Sequence, residues 1–321
     1  MIGKARRPVA GTTAAPDPME HHVSHDDDAE KAIRQARKRA EKTEKEAARA
    51  AAAPSHHRFS GPVIGIDIGG TGIKGGIVDL ATGTLIGERF RIPTPSPSTP
   101  EAVADVVTEV VNELTSRPEG PEPEAPVGIT FPAIIKNGVA RSAANVDESW
   151  IGTDVDKLMT EKLKRPVEVL NDADGAGLAE AQYGAGKGQL GVVLVITLGT
   201  GIGSAYIMDG KLVPNAELGH LEIDGHDAES RASATARERD GLTWEEYVPR
   251  LQRYFSHVEF LFSPELFIVG GGISKRSEDF LPALELQTKI VPAELKNNAG
   301  IVGAALHAAL RFDYTKKRAK S

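Results

Sequence analysis

The sequence predicts an α/β protein built from two related lobes that face a shared cleft, and three observations carry that prediction. One strand–turn–strand pattern is used twice. Val63-Ile64-Gly65-Ile66-Asp67-Ile68-Gly69 runs into Gly70-Thr71-Gly72-Ile73, and Val192-Val193-Leu194-Val195-Ile196-Thr197-Leu198 runs into Gly199-Thr200-Gly201-Ile202. Strand-length apolar runs alternate with segments of helical period, the mark of the α/β class. The 321 residues suffice for two such lobes and exceed one ordinary core.

Taken in order, residues 1–60 read as an extension. They hold Pro, His and Asp clusters and then an Ala/Lys/Glu/Arg stretch from Asp28 to Ala53 with almost no large apolar residue. Such a stretch has no face to bury, so it is expected to be disordered or a solvated helix. The folded body begins near Gly61. Runs at 63–68, 73–79 and 84–91 are β-like, and a proline-rich loop, Pro93 to Pro100, leads into a helix with Thr99 as N-cap and Pro100 at its first position. Val103, Val106, Val107, Val110, Val111 and Leu114 give that helix its apolar stripe, and Val127–Phe131 returns as a strand.

The second lobe starts alike, with strands at 191–198 and 202–208 and a turn at Asp209-Gly210. Helices are predicted at 173–183, 243–260 and 301–311, and Leu266–Val269 reads as a buried strand. These boundaries give a small lobe over 61–170, completed by a C-terminal helix at about 300–312. A large lobe follows over 171–299, with a basic tail over 313–321. β-Branched residues follow each Gly/Thr turn, which indicates a hairpin, whereas the glycine turn of a Rossmann unit opens a helix. The duplicated actin-like, ribonuclease-H-like two-lobe architecture is therefore expected, with its cleft between the lobes.

Composition narrows the function. Residues 1–60 carry 12 Lys/Arg and 9 Asp/Glu, which leaves 26 and 36 in the remainder. A body this acidic is a poor general nucleic-acid binder. No apolar run approaches the ~18 residues of a membrane span, and no apolar segment follows the basic N-terminus as in a signal peptide. The absence of cysteine excludes disulfides and thiolate metal sites and fits a reducing cytoplasm.

The glycine turns let backbone N–H groups approach an anion, and their threonines add hydroxyl donors. Gly69, Gly70 and Thr71 are thus candidate contacts to a transferring phosphoryl group, with Lys74 to neutralise it. Asp67 is a candidate either to hold Mg²⁺ through water or to position an incoming hydroxyl. Gly199, Thr200 and Gly201 form the second phosphate turn. Gly270, Gly271 and Gly272 follow a buried strand and are candidates for further phosphate or a nucleotide. A glycine hairpin with a solvated lysine remains the bland alternative.

Asn171-Asp172 follows the apolar run Val167–Leu170 and leads into a helix. Phosphoryl transfer to an alcohol needs a positioned base and little covalent help. Asp172 is the candidate base, and Asn171 a candidate for sugar hydroxyls; both equally suit a helix N-cap. Glu217 and His220 stand three residues apart, where both can bond adjacent hydroxyls of one hexose, and Glu229 is a further acceptor. Asn145 and Trp150 suit a sugar's polar and apolar faces, and a packed tryptophan beside a turn explains the same residues. His220 and His226 without cysteines are weak evidence for zinc, so no protein metal ligand is assigned.

These motifs, in this order, resemble the ROK family of sugar kinases from about Gly61 to about Leu310. Arg91-Ile92-Pro93-Thr94-Pro95, Ser142-Ala143-Ala144-Asn145, Glu217–Glu222 and Gly225–Glu229 resemble its actinobacterial polyphosphate glucokinase branch, which includes polyphosphate/ATP glucomannokinases. Most ROK proteins follow Glu-x-Gly-His with a cysteine-rich zinc motif, which this chain lacks, as that branch does. The resemblance implies glucose bound by Asn145, Asn171, Asp172, Glu217, His220 and Glu229, with Asp172 as base. It also implies Mg²⁺, a homodimer and phosphorylation at C6, with inorganic polyphosphate as donor and ATP and mannose as further substrates. Lys74, Lys211, Lys275 and Arg276 are candidates for the polyphosphate path. An ATP-only hexose kinase shares nearly every motif. A sugar-responsive ROK regulator would need an N-terminal DNA-binding core, whose apolar pattern residues 1–60 lack.

Overall fold

The computed structural model describes residues 61–143 and 146–318, together with Arg34. The expected N-terminal extension and Asn145 lie outside the described residues. All elements below belong to one compact unit, Ser55–Ser321.

The first sheet begins with a meander of β1 (Val63–Gly69), β2 (Gly72–Asp79) and β3 (Thr84–Ile92). Val63, Ile64, Ile66 and Ile68 are all buried, which is why β1 reads as a nearly continuous apolar run. Helix α1 (Pro100–Thr115) starts as predicted: the Thr99 side chain accepts from the Ala102 N–H, and Val103, Val107, Val110, Val111 and Leu114 are buried. Strand β4 (Val127–Phe131) follows, then a short ribbon of β5 (Ile135–Lys136) and β6 (Val139–Ala140), helix α2 (Val155–Leu163) and strand β7 (Val167–Asn171). The strand order is β3-β2-β1-β4-β7, with β1, β4 and β7 parallel.

Helix α3 (Asp172–Tyr183) leads to the second sheet, which opens with β8 (Val192–Leu198), β9 (Ile202–Met208) and β10 (Lys211–Val213). Asp209 and Gly210 have φ of 50° and 74°, as a tight two-residue hairpin requires. After a ribbon of β11 (Glu222–Ile223) and β12 (His226–Asp227) come short helices α4 (Glu229–Ala232) and α5 (Ala234–Arg239). Helix α6 (Trp244–Phe262) begins with a Thr243/Glu246 capping box. Strands β13 (Leu266–Gly270) and β14 (Lys289–Pro292) complete the sheet, and α7 (Ala299–Arg318) ends the described chain. Its order, β10-β9-β8-β13-β14, repeats that of the first sheet: an antiparallel meander, then two parallel strands. The two-lobe α/β class expected from the duplicated hairpin is the observed one. Strand β14 had no counterpart in the sequence reading.

Helix α7 packs on β1, β4 and β7, α3 packs on β8 and β9, and the two helices pack on each other. Small residues permit this. A Cβ on Gly303 of α7 would lie 1.8 Å from the Gly175 carbonyl of α3, and one on Gly128 of β4 would lie 1.8 Å from the Ala304 carbonyl. The close approach brings the first turn of each helix, at Asp172 and at Ala299-Gly300, to the same opening between the sheets.

Candidate active site

That opening is a cavity of about 780 Å³ lined from both lobes. Of the sequence candidates, Asp67, Lys74, Asn171, Asp172, Gly199, Thr200, Gly201, Glu217, His220, Glu229, Gly271 and Gly272 line it. Gly69, Gly70, Thr71 and Gly270 lie outside that lining. Gly70 and Thr71 form the exposed tip of the first hairpin. Arg91 donates to the Thr71 carbonyl at 2.7 Å, and Thr94 donates to that of Gly69. The lining residues of that hairpin are instead Asp67 and Lys74, cross-strand partners in the β1–β2 register. Gly270 is the buried last residue of β13. Gly271, next to it, has φ +82°, and a Cβ there would lie 2.3 Å from the Leu198 carbonyl, so the chain passes directly behind the second turn.

Asp172 opens α3 and is exposed to the cleft, while both lobes crowd it. That crowding pushes its carboxyl up to about 6; the Asp67 and Glu217 carboxylates push the same way, and the Ala173 N–H, at 2.8 Å, opposes them. Water in the open cleft moderates the shift, and a substrate that displaces the water strengthens it. Asn171 is the N-cap of α3: its Oδ1 accepts from the Asp174 N–H at 3.1 Å and its Nδ2 donates to Ala133 at 3.1 Å. One amide hydrogen and one lone pair remain for a ligand. The capping role is therefore realised, and the residue still lines the cleft.

Glu217 enters a short helical turn, Leu218–His220. The buried Ser204 hydroxyl, which the sequence reading missed, holds that turn by donating to Ala216 and accepting from the Leu218 N–H at 2.9 Å. Burial raises the Glu217 carboxyl, His220 opposes this, and Glu229 adds to it. Glu229 accepts from the Ile202 N–H at 3.0 Å, so it also fastens the Gly199–Gly201 turn. Asp67 accepts from Lys74 Nζ at 3.1 Å and from Thr130 Oγ1 at 3.0 Å.

Asp174 is a second missed residue. Its side chain is buried, its Oδ2 accepts from the Asn215 N–H at 2.8 Å, and its Oδ1 has no hydrogen-bond partner among the described residues. Burial pushes its carboxyl up to about 7, helped by Glu217 and Asp172. Asn215 in turn clasps the first lobe, accepting from the Ile135 N–H and donating to its carbonyl, both at 3.0 Å. Ser142, Lys296, Asn297 and the first turn of α7 also line the cleft. They lie in loops and at a helix start, where no sequence period marks them.

Trp150 is not a sugar platform. It is fully buried, packs at a 52° tilt against Phe131 with ring centroids 4.5 Å apart, and donates its indole N–H to the Ser98 carbonyl. Of the proposed cations, only Lys74 lines the cleft; Lys211, Lys275 and Arg276 lie outside the lining, and Arg276 pairs with Asp279.

Comparison with known proteins adds to this geometry. A model described as the ROK family matches residues 63–234. A polyphosphate glucokinase from Mycobacterium tuberculosis is 50% identical over 243 residues, spanning 75% of this chain and 89% of that protein. A crystal structure of inorganic polyphosphate/ATP-glucomannokinase from Arthrobacter sp. strain KM is 72% identical, with TM-score 0.75, over 78% of this chain and 99% of that one. A ROK family glucokinase from Streptomyces griseus, in complex with glucose and AMPPNP, is 26% identical, with TM-score 0.66, over 77% and 99% of the two chains.

Proposed function

This chain belongs to the ROK family, and we propose that it transfers the terminal phosphoryl group of inorganic polyphosphate to the 6-hydroxyl of glucose. The observation that carries the reading is the single cleft. A crowded carboxylate, Asp172, shares it with the Glu217/His220/Glu229 group and with the backbone turns at Gly199–Gly201 and Gly271-Gly272. The likeness to a polyphosphate glucokinase and to a polyphosphate/ATP-glucomannokinase supports the donor, and extends the proposal to ATP and mannose.

In this reading Asn171, Glu217, His220 and Glu229 hold the sugar, as does Asn145. Asp172 accepts the proton of the 6-hydroxyl as oxygen bonds to phosphorus and the shortened polyphosphate leaves. A base whose pKa lies just below neutral is ionised at working pH and still basic enough to help. The turns at Gly199–Gly201 and Gly271-Gly272 receive the phosphates. The start of α7 faces the same space, and the first N–H groups of a helix favour an anion. Lobe closure excludes water, which competes with glucose as acceptor.

Mg²⁺ suits these residues. That ion takes one or two carboxylates, substrate phosphates and waters, and Asp67 offers a cleft-lining carboxylate steadied by Thr130. Asp67 would hold it through water, where it would neutralise charge on the transferred group. A cytoplasmic location and a homodimer complete the proposal; the first rests on the cysteine-free sequence and the second on the family resemblance. No described helix is long and apolar enough to cross a membrane.

The test is turnover with polyphosphate and with ATP at matched glucose and Mg²⁺. Glucose 6-phosphate is expected from both. Turnover with ATP alone rejects the donor assignment, and turnover with neither rejects the reading.

A further inference from the structure

We propose that Asp227, which the sequence reading gave no role, is a positioning residue that sets the sugar-binding group before glucose arrives. The proposal rests on the sugar site described above. The Asp227 carboxylate makes two bonds, one to each of two cleft residues. Its Oδ2 meets His220 Nδ1 at 2.9 Å, and its Oδ1 accepts from the Glu229 backbone N–H at 3.1 Å. One side chain therefore ties the imidazole to the backbone of Glu229, the residue whose carboxylate also flanks the sugar space.

Asp227 is itself held in place. It lies on β12, paired in register with Glu222 of β11, and the linking residues Asp224 and Gly225 have φ of 55° and 76°. The Ala228 N–H donates to Leu221 at 2.9 Å, which closes the ribbon just beyond His220. Asp224, at the tip, receives Arg253 of α6 through two bonds of 2.9 and 2.7 Å. The ribbon is thus tied at its tip to the 19-residue helix α6.

His220 needs such support. Its side chain is 57% exposed, and no other hydrogen bond holds its ring among the described residues. With Nδ1–H donated to Asp227, Nε2 is left as the atom that faces a sugar hydroxyl. Glu217, Asp227 and Glu229 are the charged groups that face the ring, and all three favour its protonated form, the Asp227 hydrogen bond most strongly. A ring fixed in one tautomer and orientation loses less freedom when glucose binds.

The test compares Asp227→Ala and Asp227→Asn with the parent enzyme. For Asp227→Ala, the glucose KM is expected to rise about tenfold, the scale of one charge-assisted hydrogen bond. The donor KM and Tm are expected to stay unchanged. Asn keeps one acceptor oxygen for two donors, so an intermediate glucose KM is expected. The imidazole nitrogen spectrum of His220, assigned by difference with His220→Gln, should show an Nδ1-protonated ring in the parent and lose that signature in Asp227→Ala. This readout needs no turnover, so it decides the role of Asp227 even where glucose proves to be the wrong sugar. An unchanged glucose KM with an unchanged nitrogen spectrum overturns the proposal. So does an equal loss of glucose and donor affinity with a lowered Tm. Because His220, Asp227 and Glu229 place ligand atoms within 4.8 Å of one another, metal content is measured too. Equimolar zinc in the parent, lost in Asp227→Ala, would make the carboxylate a metal ligand and also overturn the proposal.

Discussion

The pH dependence of turnover tests the assignment of Asp172 most directly. Crowding by both lobes, with the Asp67 and Glu217 carboxylates nearby, pushes this group up to about 6. A base must be ionised to accept the hydroxyl proton, so activity is present above that pKa and lost as pH falls through it. At pH 7 about nine-tenths of the enzyme carries the ionised base, and at pH 5 about one-tenth does, whereas an ordinary carboxylate near 4 would still be about nine-tenths ionised at pH 5. The quantity to measure is kcat/KM for glucose at saturating donor and Mg²⁺, from pH 4.5 to 8. The expected acid limb falls about tenfold per pH unit below 6. Asp172→Asn should lose on the order of 10²–10⁴-fold in kcat while keeping glucose affinity. A profile that stays flat down to pH 5, or an Asn variant of near-normal rate, refutes the assignment.

Two further predictions concern the supports of the site. Asp174 is buried, with its carboxyl pushed up to about 7 from an ordinary aspartate value of about 4. Between those values the folded state keeps a proton that the unfolded state has lost, so this group lowers stability as pH rises from 4 to 7, by at most about 4 kcal/mol. Asp174→Asn should flatten that part of the stability curve and raise Tm at pH 8; denaturation at pH 5 and pH 8 checks it. Gly303→Ala would set a Cβ 1.8 Å from the Gly175 carbonyl, a backbone atom that cannot step aside. A loss on the order of 3 kcal/mol is expected, read from urea midpoints against the parent.

Much of the site was legible in the sequence because strand ends and tight turns leave strong local marks. The Gly199 turn, Asn171-Asp172, Glu217/His220 and Glu229 were each singled out, and each lines the cleft. The misses have physical causes. Ser204 sits within a strand and matters only through the loop that returns over it, which is 14 positions away in the chain. Asp174 differs from Asp172 only in which side of a helix it faces, and the sequence reading gave it no role. Trp150 was read with two meanings, and only its seat against Phe131 decides between them. The C-terminal helix was predicted at 301–311, yet nothing local says that its glycine and alanine face lies on β1 and β4.

The duplicated hairpin shows how one pattern came to serve two tasks. In the first lobe, Asp67 and Lys74 face each other across β1 and β2 and bring charge to the cleft. At the matching place of the second lobe, the cross-strand pair that lines the cleft is Thr197 and Gly203. Gly203 has no room for a side chain: a Cβ there would lie 2.5 Å from Thr197 Oγ1 and 2.9 Å from the Ala173 Cβ. Ala173 belongs to the first turn of α3, the turn that carries Asp172. The second hairpin thus gives up one side chain of the pair so that Asp172 can come close, and it offers a hydroxyl and backbone where the first offers charge. Gly203→Ala should therefore act on chemistry more than on stability. Thr197 Oγ1 can rotate away, so relief is expected mainly through a shift of the α3 start, and misplacing a reacting group by about 1 Å can cost on the order of 10²-fold in rate. The expected result is a kcat lowered at least tenfold with a glucose KM within about threefold of the parent. A variant that loses stability while its kcat is unchanged would show that the glycine serves packing alone.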